Sequence, residues 1–107
     1  MAEAGCVFLF VTTVANEEQA EKLISTLIAE QLAACVSVTK VTSHYIWQGK
    51  LEETEELQLQ IKTSHSTCQR LMERISEIHP YDTPEIMCFK STAANSKYVS
   101  WVNAACS

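Results

Sequence analysis

Cys35-Val-Ser-Val-Thr-Lys-Val-Thr-Ser-His-Tyr-Ile-Trp47, followed by Gln48-Gly49-Lys50 and a second arm running to Thr63, decides the fold. The first arm is rich in β-branched and aromatic residues, which suit a pleated surface. In the second arm Leu57, Leu59 and Ile61 alternate with Gln58, Gln60 and Lys62, the period of a strand with one covered face. The pair reads as a β-hairpin turning at Gln48-Gly49-Lys50. Within the first arm the apolar parity changes, Val36 and Val38 falling on one face and Val41, Tyr45 and Trp47 on the other. That change predicts a bulge near Thr39-Lys40. Thirteen residues from Cys35 to Trp47 extend roughly 43 Å at about 3.3 Å each. A compact body of this chain length is only about 34 Å across. The tip, with Tyr45, Ile46 and Trp47, therefore has to project. A bare two-stranded ribbon is marginal in water, so a second copy of the chain is expected to cover it.

Outward from the hairpin, the elements are short and well punctuated. Cys6–Thr13 has the length and branching of a buried strand. Asn16 reads as an N-cap with Gln19 in the capping-box position, and Ala20, Leu23, Ile24, Leu27 and Ile28 follow helical spacing to about Gln31. After the hairpin, Ser66 and Gln69 repeat the cap pattern, and Cys68, Leu71, Met72, Ile75 and Ile78 trace a second helix that Pro80 ends. Glu85–Lys90 is a short strand. Asn95 caps a last helix with Tyr98, Trp101, Val102 and Ala105 on one face. The order βαββαβ plus a helix predicts an α+β, ferredoxin-like (split βαβ) sheet with two helices on one face. Only the last helix is left for the other face, which again favours self-association.

The chain has 107 residues and reads as a single domain spanning 1–107. Its net charge of −5 and lack of a basic cluster argue against nucleic acid or an acidic membrane surface as partner. The opening Met-Ala-Glu-Ala-Gly has no basic signal region and Cys6–Val11 is too short to span a membrane, so a cytoplasmic chain is expected. Five scattered cysteines without a CxxC pair read as reduced thiols, mostly in the core. No nucleophile elbow or HExxH motif is present, and no enzymatic activity is expected.

Leu32-Ala-Ala-Cys-Val36, Tyr45-Ile-Trp-Gln-Gly-Lys50, Ile61-Lys-Thr63, His79-Pro-Tyr-Asp-Thr-Pro-Glu-Ile86 and Tyr98-Val-Ser-Trp101 stand in an order that resembles the CutA family, the divalent-cation tolerance proteins. The resemblance covers nearly the whole chain. It implies a ferredoxin-like subunit in a tight homotrimer, with long hairpins reaching onto neighbouring subunits, and a shape akin to the PII signalling proteins. It also implies a role in copper or other divalent-metal homeostasis, with His79 at the metal-site position. The bacterial pattern adds a second histidine and a first-strand cysteine, where this chain has Ile78 and Thr12.

Two readings of His79 follow: a neutral imidazole ligand for Cu(II) or Zn(II), or a helix-end residue bonded to backbone carbonyls. Cys35 is a second candidate ligand, its thiolate suited to Cu(I), or else a small buried hydrophobe. Trp47, Lys62, Tyr81, Asp82 and Glu85 would line an inter-subunit cleft for a small ligand if hairpin tip and His-Pro-Tyr turn meet; otherwise Trp47 and Tyr81 are interface anchors and Lys62–Glu85 an ion pair. Tyr45, Ile46 and Trp47 are expected at the trimer interface. Glu52, Glu53, Glu55 and Glu56 read as a solvated edge that discourages further strand pairing. The functional alternatives are thus a weakly metal-binding tolerance protein and a non-enzymatic trimeric scaffold or PII-like sensor, with a protein or small molecule as partner.

Overall fold

The computed structural model describes residues 5–106; the opening Met1–Ala4 and Ser107 lie outside the described residues. Strand β1 (Phe8–Val14) leads to α1 (Glu17–Ala29), then to the hairpin β2 (Cys35–Trp47) and β3 (Lys50–Thr63). Helix α2 (Cys68–Ile78), strand β4 (Ile86–Lys90) and helix α3 (Ser96–Ala105) complete the chain. The sheet order is β2-β3-β1-β4, and every neighbouring pair is antiparallel. This is the ferredoxin-like order that the element sequence predicts.

Register assigns the two faces. Phe8, Phe10, Thr12 and Val14 of β1 stand opposite Thr63, Ile61, Leu59 and Leu57 of β3. These side chains form the main core with Ala20, Leu23 and Leu27 of α1 and Leu71 and Ile75 of α2. On the reverse face α3 covers one end only, through Val99, Val102 and Cys106 packed with Val7. The buried stripe of α3 is therefore Val99–Val102, continued by Cys106 at its C-cap, and Trp101 lies outside it, stacked on Tyr98 with ring centroids 5.9 Å apart. Farther along, Val11 faces Met87 and Leu9 faces Phe89 across β1 and β4. Met87 and Phe89 remain exposed.

The bulge expected near Thr39-Lys40 is absent. Each residue from Cys35 to Trp47 pairs with one residue of β3 in unbroken register. Val36 and Val38 lie on the helix-covered face, opposite Ile61 and Leu59. Beyond them that face carries Lys40, Thr42 and His44, all exposed. The apolar parity changes because the cover changes, not because the strand kinks. From Lys50 to Glu56, β3 has only β2 as partner, since β1 pairs with Leu57 to Thr63. The molecule measures 47 × 27 × 21 Å.

The ends of α1 behave as read. Asn16 Oδ1 accepts the Gln19 N–H at 2.9 Å, and Gln19 Oε1 accepts the Ala15 N–H at 2.9 Å. At the other end the Leu32 N–H reaches the Leu27 carbonyl and the Gln31 N–H the Ile28 carbonyl, a Schellman closure. It requires φ +60° at Gln31, where a Cβ is strained. Gln31→Gly is expected to raise stability by about 0.5–1 kcal/mol in denaturant titration.

The second cap differs from expectation. A 3-10 turn, His65–Thr67, precedes α2, Thr67 occupies the N-cap position, and Ser66 bonds Ser64 instead of capping. Thr63, fully buried, explains why. Its hydroxyl donates to the Leu32 carbonyl at 2.8 Å and lies 2.6 Å from the Thr67 hydroxyl, so Thr67 is drawn inward.

Candidate functional site

His79 caps α2 with extended backbone, as the following proline demands, and its N–H reaches the Ile75 carbonyl at 2.8 Å. The ring does not turn back on its helix. It crosses to β1, where Nε2 lies 2.9 Å from both the Thr13 carbonyl and the Thr12 hydroxyl. Nδ1 receives the backbone N–H of Tyr81 at 3.1 Å. A carbonyl only accepts and an amide N–H only donates, so these partners assign the proton to Nε2 and the lone pair to Nδ1. Burial pushes the imidazole below the usual histidine value, against the opposing pull of the Thr13 carbonyl and the Glu56 carboxylate. His79 is a neutral, fully engaged ring.

That ring aims Tyr81, which meets it edge-on at 5.0 Å between centroids. The Tyr81 hydroxyl donates to Glu56 Oε2 at 2.6 Å. Burial pushes the phenol above its ordinary range, and the Glu56 carboxylate adds to the effect. The turn after α2 is thereby tied to β1 through His79 and to β3 through Glu56. Between the turn and the hairpin lies a cleft of about 740 Å³. Tyr45, Trp47, Glu56, Tyr81, Asp82 and Glu85 line it, with Thr13, Ser43, His44 and Thr83.

Trp47, Tyr81, Asp82 and Glu85 thus meet within a single chain. Lys62 does not join them: it sits opposite Cys35 and Leu9, and its ammonium donates to the Ser37 hydroxyl at 2.6 Å. Ile46 is exposed at 66%, beside Leu51 at 72% on the opposite strand. Cys35 is half-buried, and the other free thiols are Cys6 and Cys106 (buried), Cys68 (half-buried) and Cys88 (exposed). The acidic run splits across the sheet, Glu52 and Glu56 sharing the parity of Tyr45, Glu53 and Glu55 that of His44. His44 and Glu53 approach to 3.8 Å in solvent. Sequence reasoning missed Glu56 as a cleft residue and Thr12 as the partner of His79. The first was hidden in the acidic run; the second follows only from strand-to-helix contact.

Over residues 8–105 the chain matches the family model described as CutA1 divalent ion tolerance protein. The chain belongs to the CutA family. It is 41% identical over 93 residues to the divalent-cation tolerance protein CutA of Escherichia coli, covering 86% of this chain and 83% of that one. Among solved structures it is similar to CutA from Synechococcus elongatus, with TM-score 0.92, 32% identity, and coverage of 98% of this chain and 94% of that one. CutA1 from Pyrococcus horikoshii gives TM-score 0.90 at 34% identity, covering 94% of this chain and 98% of that one. No described helix is long and apolar enough to cross a membrane.

The CutA description raises the question of a metal, and the donor set answers it for one chain. Both nitrogens of His79 are occupied, so a metal at Nδ1 would have to displace the Tyr81 amide. Thr12 supplies a hydroxyl, a poor partner for a soft ion, and Ile78 packs against the core. Among the described residues no group of three or more His, Cys, Asp and Glu is placed to hold an ion. These residues do not fit a chelated transition metal.

Proposed function

We propose that this chain is a non-enzymatic, cytoplasmic homotrimer that contributes to divalent-cation tolerance through the ligand cleft beneath its hairpin, with His79 as the post that shapes the cleft. The observation that supports self-association is the exposed apolar surface: Met87 and Phe89 on the open sheet face, and Ile46, Trp47 and Leu51 at the tip. Such a surface on an unpaired ribbon calls for cover. Three copies arranged around the open faces give each hairpin a neighbour. Copper or another divalent metal binds only weakly and away from His79, because engaging that ring would break the Tyr81 bond.

Light scattering coupled to gel filtration tests the assembly. A mass about three times the 12.0 kDa chain is expected, and a monomer or dimer overturns the reading. Calorimetric titration of the reduced protein with Cu(II), beside His79→Gln, tests the metal arm. The expected heat is shallow and unchanged in the variant. Saturable binding of one ion per chain or per trimer that His79→Gln abolishes would restore His79 as a ligand.

A further inference from the structure

Strand β4 turns its two faces to different neighbours. Met87 and Phe89 lie on the open face, opposite Val11 and Leu9. Cys88 alternates with them and stands opposite Phe10, a residue of the helix-covered core. Its thiol is therefore on the side where α2 packs. The approach to α2 lies over the same stretch of sheet: the His65 ring sits 5.6 Å from that of Phe8, the next core residue along β1. Cys68, one helical turn farther on, opens α2 and packs against the cluster that holds Phe10. Partial burial, and after it the charge of Cys68, push the Cys88 thiol above its ordinary range, so the two sulfurs are electrostatic neighbours. Both are free thiols. Helix α2 and β4 approach within 8 Å between Cα atoms, near the roughly 4.4–6.8 Å that a disulfide spans.

We propose that Cys68 and Cys88 are a reversible redox pair that closes to an intrachain disulfide when the protein meets hydrogen peroxide. The peroxide reaches the exposed Cys88 first and oxidises its sulfur to a sulfenic acid, releasing one water. The Cys68 sulfur then attacks that sulfur, forms the S–S bond and expels the oxygen as a second water. The two thiols lose two protons and two electrons, and the peroxide is reduced to the two waters. Its raised range keeps Cys88 protonated at neutral pH, so the first step is slow there and quickens as pH rises. The bridge ties the start of α2 to β4 and encloses the turn from His79 to Glu85 within the loop 68–88. Such closure restricts the unfolded chain and so favours the folded one. Neither thiol lies on the open face or at the hairpin tip. The pair is thus independent of both the trimer and the cleft of the proposed function.

Peptide mass mapping tests it, on the reduced full chain treated with hydrogen peroxide and then alkylated in denaturant. The expected result is a bridge between Cys68 and Cys88 that a reductant reverses, with alkylatable thiols falling from five to three. On a non-reducing denaturing gel the product should run as one chain. In Cys68→Ser the bridge should be lost and Cys88 should hold a sulfenic acid that dimedone traps. Cys68 and Cys88 both staying alkylatable while peroxide is consumed overturns the proposal. So do bridges that join two chains, or that pair Cys88 with Cys6, Cys35 or Cys106.

Discussion

Replacing His79 with alanine is expected to lower folding stability by about 3 kcal/mol. His79 is only 9% exposed, and its imidazole satisfies three groups at once: the Thr13 carbonyl, the Thr12 hydroxyl and the Tyr81 amide. Alanine leaves all three without their partner and opens a void against Tyr81. Each buried polar group so stranded costs roughly 1–3 kcal/mol, reduced where water enters. Denaturant titration at fixed chain concentration reads the change, because oligomer formation makes midpoints concentration-dependent. A shift equivalent to less than about 0.5 kcal/mol, the size of an ordinary surface substitution, would show that the ring holds nothing.

The same residue gives the fold a pH dependence of known sign. His79 has its folded pKa lowered by burial, whereas in the unfolded chain it titrates near the usual value of about 6.5. Between those two values the unfolded state binds more protons, so stability rises with pH there. The contribution of a neutral His79 is complete above about 6.5 and declines as pH falls through that value toward the folded pKa. A His79→Gln variant should lose this part of the slope.

Trp47→Ala is expected to weaken the trimer by about 2 kcal/mol or more, the scale of a central aromatic anchor, and to do so more than Trp101→Ala. Trp47 closes the hairpin opposite Lys50 and is 55% exposed in the single chain, with its ring available to a neighbour. Trp101 already stacks on Tyr98 of its own helix, so its truncation removes an intrachain contact as much as any other. The midpoints of trimer dissociation on dilution or in mild denaturant report both. Equal effects, or a larger one from Trp101, would place the anchor on α3 instead of the hairpin tip.

The sequence by itself determined the element order, the hairpin and its turn, the first helix cap and the core face of β3, whereas β1, which reads as buried on both faces, leaves Leu9 and Val11 half-buried on the open one. Those features rest on local periodicity and capping chemistry, which act over a few residues. The resemblance of the quoted motifs to the CutA family was legible for the same reason: their order along the chain is a property of sequence. Tertiary structure alone decided the rest. The parity change in β2 is a statement about where helical cover ends, which no residue within β2 encodes. Ser66 lost the cap of α2 because Thr67 is drawn to Thr63, inside a hydroxyl cluster of Thr63, Ser64 and Thr67 that is anchored on the distant Leu32 carbonyl. Thr12 and His79 lie 67 positions apart and Glu56 and Tyr81 lie 25 apart. Whether an imidazole is a metal ligand or a structural post depends on which atoms occupy its two nitrogens, and only the folded chain brings those atoms within 3.1 Å.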